Sequence, residues 1–115
     1  MVLGIILLHH GGMDLIERHR QTVAQFPENE LARFSLGKAL FDQGKYSEAR
    51  EHLALALRKK PEWMAVQILV GKCDLEQGDR TAALAAFEKA RDLALAQHHE
   101  GPLAEVESLL ADLQP

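Results

Sequence analysis

The stretch from Pro27 to Pro61 recurs 34 residues further along the chain with its key residue types intact. Under this displacement Gly37 falls on Gly71, and Gly44 falls on Gly78. The same offset relates four further pairs: Lys38 and Lys72, Ala49 and Ala83, Leu53 and Phe87, Ala56 and Ala90. A period of this size is typical of stacked-repeat proteins, in which no unit buries its apolar face alone and its neighbours complete the core. The offset therefore predicts a repeat fold.

The order of residue types inside each period is distinctive. The first unit reads Arg33-x-x-Leu36-Gly37-x-x-Leu40, followed by Gly44, Tyr46, Ala49, Leu53, Ala56 and Pro61. The second unit reads Gln67-x-x-Val70-Gly71-x-x-Asp74, followed by Gly78, Ala83, Phe87 and Ala90. Both units resemble the tetratricopeptide repeat (TPR) family, whose pattern is W-x-x-L-G-x-x-Y, then A-x-x-x-F, then P. Gln67 and Asp74 depart from it where the family prefers large aromatics, and Leu95 stands where the closing proline is missing.

The resemblance implies an all-α fold, a right-handed superhelical solenoid of about six helices. We expect a leader over residues 1–12 and a single TPR domain over 13–115. Within that domain we expect an N-terminal capping helix over 14–26, repeats over 29–61 and 62–100, and a C-terminal capping helix over 102–113.

The leader contains an apolar run from Val2 to Leu8 that Gly4 interrupts. This run is far shorter than the ~20 residues that a membrane span needs. It also lacks the basic segment and cleavage site of a signal peptide. We expect the leader to be flexible and Met13 to be the natural start, with no membrane partner.

Helix boundaries follow from apolar periodicity and from capping residues. Asp14, Ser47 and Asp79 are candidate N-caps, and Gly101-Pro102 is expected to stop the helix before it. The predicted helices are Asp14–Phe26, Asn29–Gln43, Ser47–Lys60, Glu62–Gln77, Arg80–His98 and Leu103–Leu113.

Composition and motifs argue against several functions. A net charge of -4 and a pI near 5.8 disfavour a nucleic-acid partner, which would need a basic face. The pairs His9-His10 and His98-His99 are adjacent, unlike the i, i+4 pairs that chelate metals, so no metal is expected. No catalytic or cofactor motif is present, which predicts a protein without enzymatic activity or cofactor. The single cysteine, Cys73, fits a small buried residue in a reducing compartment, which favours a cytoplasmic location.

The resemblance also implies a concave groove lined by the first helix of each unit. Its groove-facing positions recur at i, i+4, i+7 and read apolar, Lys, apolar in both units: Phe34, Lys38, Phe41, Ile68, Lys72 and Leu75. The Lys-x-x-x-Asn pair with which some TPR proteins hold a carboxylate tail is absent. An open groove would suit a protein or peptide with apolar anchors and acidic residues. Trp63 is a further candidate for partner binding.

Two alternatives remain at this level. Phe34, Ile68 and Leu75 at helical spacing can equally be core residues, and the chain's own termini can cover part of this face. The second alternative is a self-associating or structural subunit that docks an apolar edge on a copy of itself or on a larger assembly. The open-groove interpretation predicts a TPR adaptor that is a monomer or a weak homodimer.

Overall fold

The computed structural model describes residues 15–114, and this part of the chain is all-α, with six helices and no strand. The predicted leader and the Asp14 cap lie outside the described residues. The helices are α1 over 15–25, α2 Glu30–Asp42, α3 Tyr46–Lys59, α4 Met64–Glu76, α5 Arg80–Gln97 and α6 Glu100–Leu113. The predicted all-α repeat solenoid is confirmed.

Consecutive helices pack against each other along the chain, α2 on α3, α3 on α4, α4 on α5 and α5 on α6. The apolar residues form two core clusters, one from α1 to α4 and one from α4 to α6. Helix α4 contributes to both, because Val66 and Val70 belong to the first cluster while Met64 and Ile68 belong to the second. Each unit therefore completes its core with its neighbour, as a repeat protein requires.

Glycine permits the close approach of the two helices in each unit. A β-carbon at Gly37 would lie 2.7 Å from Cγ of Leu53 and 3.3 Å from the carbonyl oxygen of Ala49. Gly71 stands in the same relation to Phe87 in the second unit. The repeat signature thus corresponds to a repeated contact between helices.

The two departures from the aromatic pattern are buried polar residues. Gln67 is buried on α4, and its Nε2 donates to the carbonyl oxygen of Ala86 at 3.4 Å. Asp74 is only 3% exposed, and its Oδ1 accepts a hydrogen bond from Nε of Arg50 on α3. No donor among residues 15–114 lies within hydrogen-bond distance of the buried Oδ2 of Asp74. A polar contact between the units therefore stands where the family prefers a large aromatic residue.

The helix ends agree with one capping prediction, correct another and correct one helix start. Asp79 caps α5, since its side chain accepts from the backbone N–H of Ala82 at 3.0 Å. The prediction for Ser47 was wrong, because α3 begins at Tyr46 and its N-cap, Lys45, makes no side-chain capping bond. Asn29, which was expected to be the first helical residue, instead caps α2 by accepting from the N–H of Ala32.

The predicted stop at Gly101-Pro102 was also wrong, because both residues lie in the first turn of α6. Proline is tolerated there because the first N–H groups of a helix have no intrahelical acceptor. The break falls earlier, at His98, which has a φ of 57° in the left-handed region. The N–H of His99 then donates to the carbonyl of Ala94 at 3.0 Å and closes the end of α5.

A cluster of ionisable groups attaches α1 to the first repeat. The two terminal guanidinium nitrogens of Arg20, Nη1 and Nη2, donate to the carboxylate of Glu48, the Nη2 bond at 3.0 Å. This pairing lowers the pKa of Glu48 and raises the pKa of Arg20. Beside it, Nη1 of Arg33 lies 3.0 Å from Nδ1 of His52. Burial, followed by the charge of Arg33, lowers the pKa of His52.

Candidate peptide-binding groove

A cavity of about 290 Å³ opens between α2, α4 and α6, and we refer to it as the groove. Helices α2 and α4 are the first helices of their units, as the resemblance implied. The lining is mostly apolar with three charged residues at its edges: Phe34, Lys38, Met64, Ala65, Ile68, Leu69, Lys72, Pro102 and Glu105.

Four of the six residues predicted to face a groove line this one. They are Phe34 and Lys38 on α2, and Ile68 and Lys72 on α4. Ile68 is only 6% exposed and so forms the base of the groove, whereas Lys38 is exposed. The fold therefore brings the predicted i and i+4 positions of both units together in one groove.

Phe41 and Leu75, the predicted i+7 positions, do not line the groove. The ring of Phe41 packs edge-on against Tyr46, with ring centroids 5.3 Å apart. Leu75 packs against the second core cluster. One turn further along each helix, the apolar side chain therefore lies half-buried against a core cluster, outside the groove lining.

Trp63 lies beside the groove. Its ring lies 4.9 Å from that of Phe34, centroid to centroid, and the Nζ of Lys60 lies 5.2 Å from the Trp63 ring centroid. A cation at this distance from an indole face is attracted to it. The structure therefore places Trp63 next to a groove residue and leaves it outside the lining.

Sequence reasoning missed five lining residues: Met64, Ala65, Leu69, Pro102 and Glu105. The last two belong to α6, which was interpreted only as a cap. One signal was present, since Pro102 stands 34 residues after Ile68, the period of the repeat. Helix α6 therefore serves as a third side of the groove as well as covering the last repeat.

Each groove lysine is paired within the protein. The Nζ of Lys38 lies 3.2 Å from Oδ2 of Asp42, one turn along the same helix. The Nζ of Lys72 lies 3.0 Å from Oε2 of Glu105, on the opposite side of the groove. Both pairs are partly exposed, so water screens them and each stabilises the fold only weakly.

The described residues offer little for catalysis. Cys73 is buried and free, and burial, followed by the charge of Asp74, raises the pKa of its thiol to about 11. The thiolate is the nucleophilic form, so a buried thiol with a raised pKa is a poor candidate for a catalytic nucleophile. Within residues 15–114 no three His, Cys, Asp or Glu side chains are grouped as metal ligands. In the same part of the chain, no helix combines the length and apolar character of a transmembrane span.

Stacked helix pairs with an apolar groove define a helical-repeat protein of the kind used for protein interaction rather than catalysis. Residues 16–73 match the tetratricopeptide repeat family. A TPR repeat-containing protein of Pseudomonas aeruginosa is 36% identical over 93 residues, which span 81% of this chain and 87% of the relative. The chain belongs to the tetratricopeptide repeat family.

Solved structures share this fold. The solution structure of a Bordetella parapertussis protein matches with a TM-score of 0.76 at 30% identity, over 86% of each chain. PcrH of Pseudomonas aeruginosa, determined in complex with the chaperone binding region of PopD, matches with a TM-score of 0.83. That match has 22% identity and covers 97% of this chain and 86% of PcrH, so it shows the fold alone.

Proposed function

We propose that this protein is a non-catalytic adaptor or scaffold that binds an apolar peptide segment of a partner protein in the groove. The observation that carries the proposal is the groove itself, an apolar cavity of about 290 Å³ with lysines from two successive repeats at its edge. An adaptor of this kind needs no cofactor. We further propose that it acts in the cytoplasm, because a single free, buried cysteine such as Cys73 is typical of a reducing compartment.

The lining favours a ligand with apolar side chains spaced to enter between the helices. Ile68 and Leu69 present apolar surface at the base, and Phe34 does so from the neighbouring repeat. Burying such surface drives association, while polar contacts at the edge fix the register of the ligand. PcrH, a protein of this fold, is in complex with the chaperone binding region of PopD, which supports a protein segment as the class of ligand.

Ala65 allows the groove to be blocked without disturbing the core. It lies on α4, is exposed, and lines the groove. Ala65→Gln places a longer uncharged side chain in the groove and retains a good helix former. Ala85, an exposed alanine on α5 outside the lining, provides the matched control Ala85→Gln.

The test begins with selection of peptides from a random displayed library on the wild-type protein, followed by synthesis of the enriched sequences. Binding is measured by the fluorescence of Trp63, the only tryptophan, which lies against Phe34. We expect Ala65→Gln to weaken binding at least about tenfold, a loss of about 1.4 kcal/mol, and Ala85→Gln to leave it unchanged. Equal affinity in wild type and Ala65→Gln would overturn the groove as the binding site.

A second candidate function, a self-associating or structural subunit, draws on two exposed side chains. Phe26 and Leu31 flank the turn between α1 and α2 and are 57% and 60% exposed. Sedimentation equilibrium over a range of concentrations tests it, with the double variant Phe26→Ser/Leu31→Ser as comparison. A mass that rises with concentration in wild type and not in the variant would favour this candidate. A constant monomer mass would exclude self-association through these residues.

A further inference from the structure

The ion pair between Lys72 and Glu105 connects two sides of the groove. Lys72 lies on α4 and Glu105 on α6, 33 positions apart in the chain, and the Nζ donates to Oε2 at 3.0 Å. Both residues belong to the groove lining. A ligand that enters the groove therefore meets this pair.

The other groove lysine differs in the position of its partner. Lys38 is paired with Asp42 along its own helix, and Asp42 does not belong to the lining. Glu105 is thus the only acidic residue among the described lining residues. The groove carries two positive charges and one negative charge, and the negative charge is held against Lys72.

The Lys72–Glu105 pair is weak enough for a ligand to replace. The side chain of Lys72 is 33% exposed and that of Glu105 is 48% exposed, so water competes with the contact. Exposed ion pairs of this type contribute little to stability. A ligand carboxylate placed beside an apolar anchor can therefore take the position of the Glu105 carboxylate, whereas repulsion by Glu105 opposes its approach.

Building on the proposed function, we propose that Glu105 determines the specificity of the groove by competing with ligand carboxylates for Lys72. The fitting partner is an apolar peptide segment that carries one acidic residue next to its anchors. Binding of that acidic residue must first displace Glu105, so Glu105 lowers the affinity of the groove for acidic ligands. The affinity also depends strongly on the position of the ligand carboxylate relative to Lys72. Replacement of one short-range contact by another also leaves Lys72 paired in both states, which avoids an unpaired charge near the apolar base.

The test uses one library-selected peptide in three versions that differ at a single position next to the apolar anchors, with Glu, Gln or Lys there. Each version is titrated against wild type, Glu105→Gln, Lys72→Gln and the double variant, and binding is followed by Trp63 fluorescence. We expect Glu105→Gln to tighten binding of the Glu peptide about two- to fivefold and to leave the Gln peptide unchanged. In the Lys72→Gln background the gain should disappear, and about 1 M salt should reduce it.

A readout without a peptide tests the pair itself. Acetylation of lysines, followed by mass spectrometry, compares Lys72 with Lys89, an exposed lysine on α5. Glu105→Gln should raise the relative labelling of Lys72 about twofold if the carboxylate holds its ammonium group in solution. Unchanged labelling would show that the pair does not persist and would overturn the proposal.

The outcomes separate this inference from the proposed function. If Ala65→Gln abolishes binding but Glu105→Gln changes none of the three affinities, the groove remains the binding site and the proposed competition by Glu105 is wrong. If Glu105→Gln weakens the Lys peptide and no other, Glu105 recruits basic ligands, and the proposed acidic partner is wrong. If Ala65→Gln changes nothing, both proposals fail together.

Discussion

The β-carbon that Gly71 lacks would lie 2.5 Å from Cε1 and 2.7 Å from Cδ1 of Phe87. Real β-carbons do not approach a ring this closely, so any side chain at position 71 forces α4 and α5 apart or moves a fully buried ring. Gly37 and Leu53 make the same contact in the preceding unit. The repeated spacing of the two units is therefore a packing requirement between their helices.

Gly71→Ala is expected to lower the free energy of unfolding by about 1–3 kcal/mol through overpacking against Phe87. Urea denaturation measures it. Gly101→Ala is the matched control, because nothing lies within 4 Å of a β-carbon there. The control should be as stable as wild type or slightly more stable, since alanine is the better helix former. A Gly71→Ala variant as stable as Gly101→Ala would contradict the close contact.

Arg50→Met is expected to destabilise the protein by about 1–3 kcal/mol, because it leaves the buried carboxylate of Asp74 without its partner. The double variant Arg50→Met/Asp74→Leu should recover most of that loss, since an apolar pair of similar size needs no charge compensation. Arg58→Met, an exposed change near the end of α3, should stay within about 0.5 kcal/mol of wild type. The free energies of unfolding of all three variants, measured by urea denaturation, test this prediction. Equal stability of Arg50→Met and Arg58→Met would show that Asp74 does not depend on Arg50.

Acidification is expected to weaken the fold through His52. Burial and Arg33 lower the pKa of His52 in the folded state, so below about pH 6.5 the unfolded chain takes up a proton first and stability falls. This loss runs from about pH 6.5 down to the lowered folded pKa. Glu48 adds its own loss only below about 4.5, since its pKa is lowered by Arg20.

The measurement is the free energy of unfolding by urea at several pH values between about 7 and 5. His52→Gln should flatten the slope in this window. His99→Gln, at an exposed position between α5 and α6, should keep the wild-type slope. An identical slope in His52→Gln and wild type would rule out His52 as the titrating group.

Local pattern predicted the elements of this fold well, because the features that specify them recur at one spacing. The glycines at 37 and 71, the cap at Asp79 and the four groove positions on α2 and α4 all lie within the repeated units. The predicted helix Arg80–His98 ends within one residue of the observed α5, but the left-handed conformation of His98 was not predicted, because the sequence pattern attributed the stop to Gly101-Pro102.

Contacts between different helices account for the remaining differences at the groove. Phe41 does not line the groove because its ring packs against Tyr46 of α3, and no spacing along α2 reveals that partner. Glu105 joined the groove because α6 packs beside α5 and brings it to Lys72. The sequence contains both charges, but only the arrangement of the helices shows that they meet.

The packing of each helix from α2 to α6 mainly against its neighbours in sequence makes this scaffold extensible. A duplicate of one helical hairpin, inserted at the join before Pro61, would meet surfaces that already fit it on both sides. The groove would lengthen by one hairpin, while the Arg20–Glu48 pair and the Lys72–Glu105 pair would stay within their own parts of the scaffold. Evolution can thus adapt such a protein to longer ligands by copying a unit, without redesigning the rest.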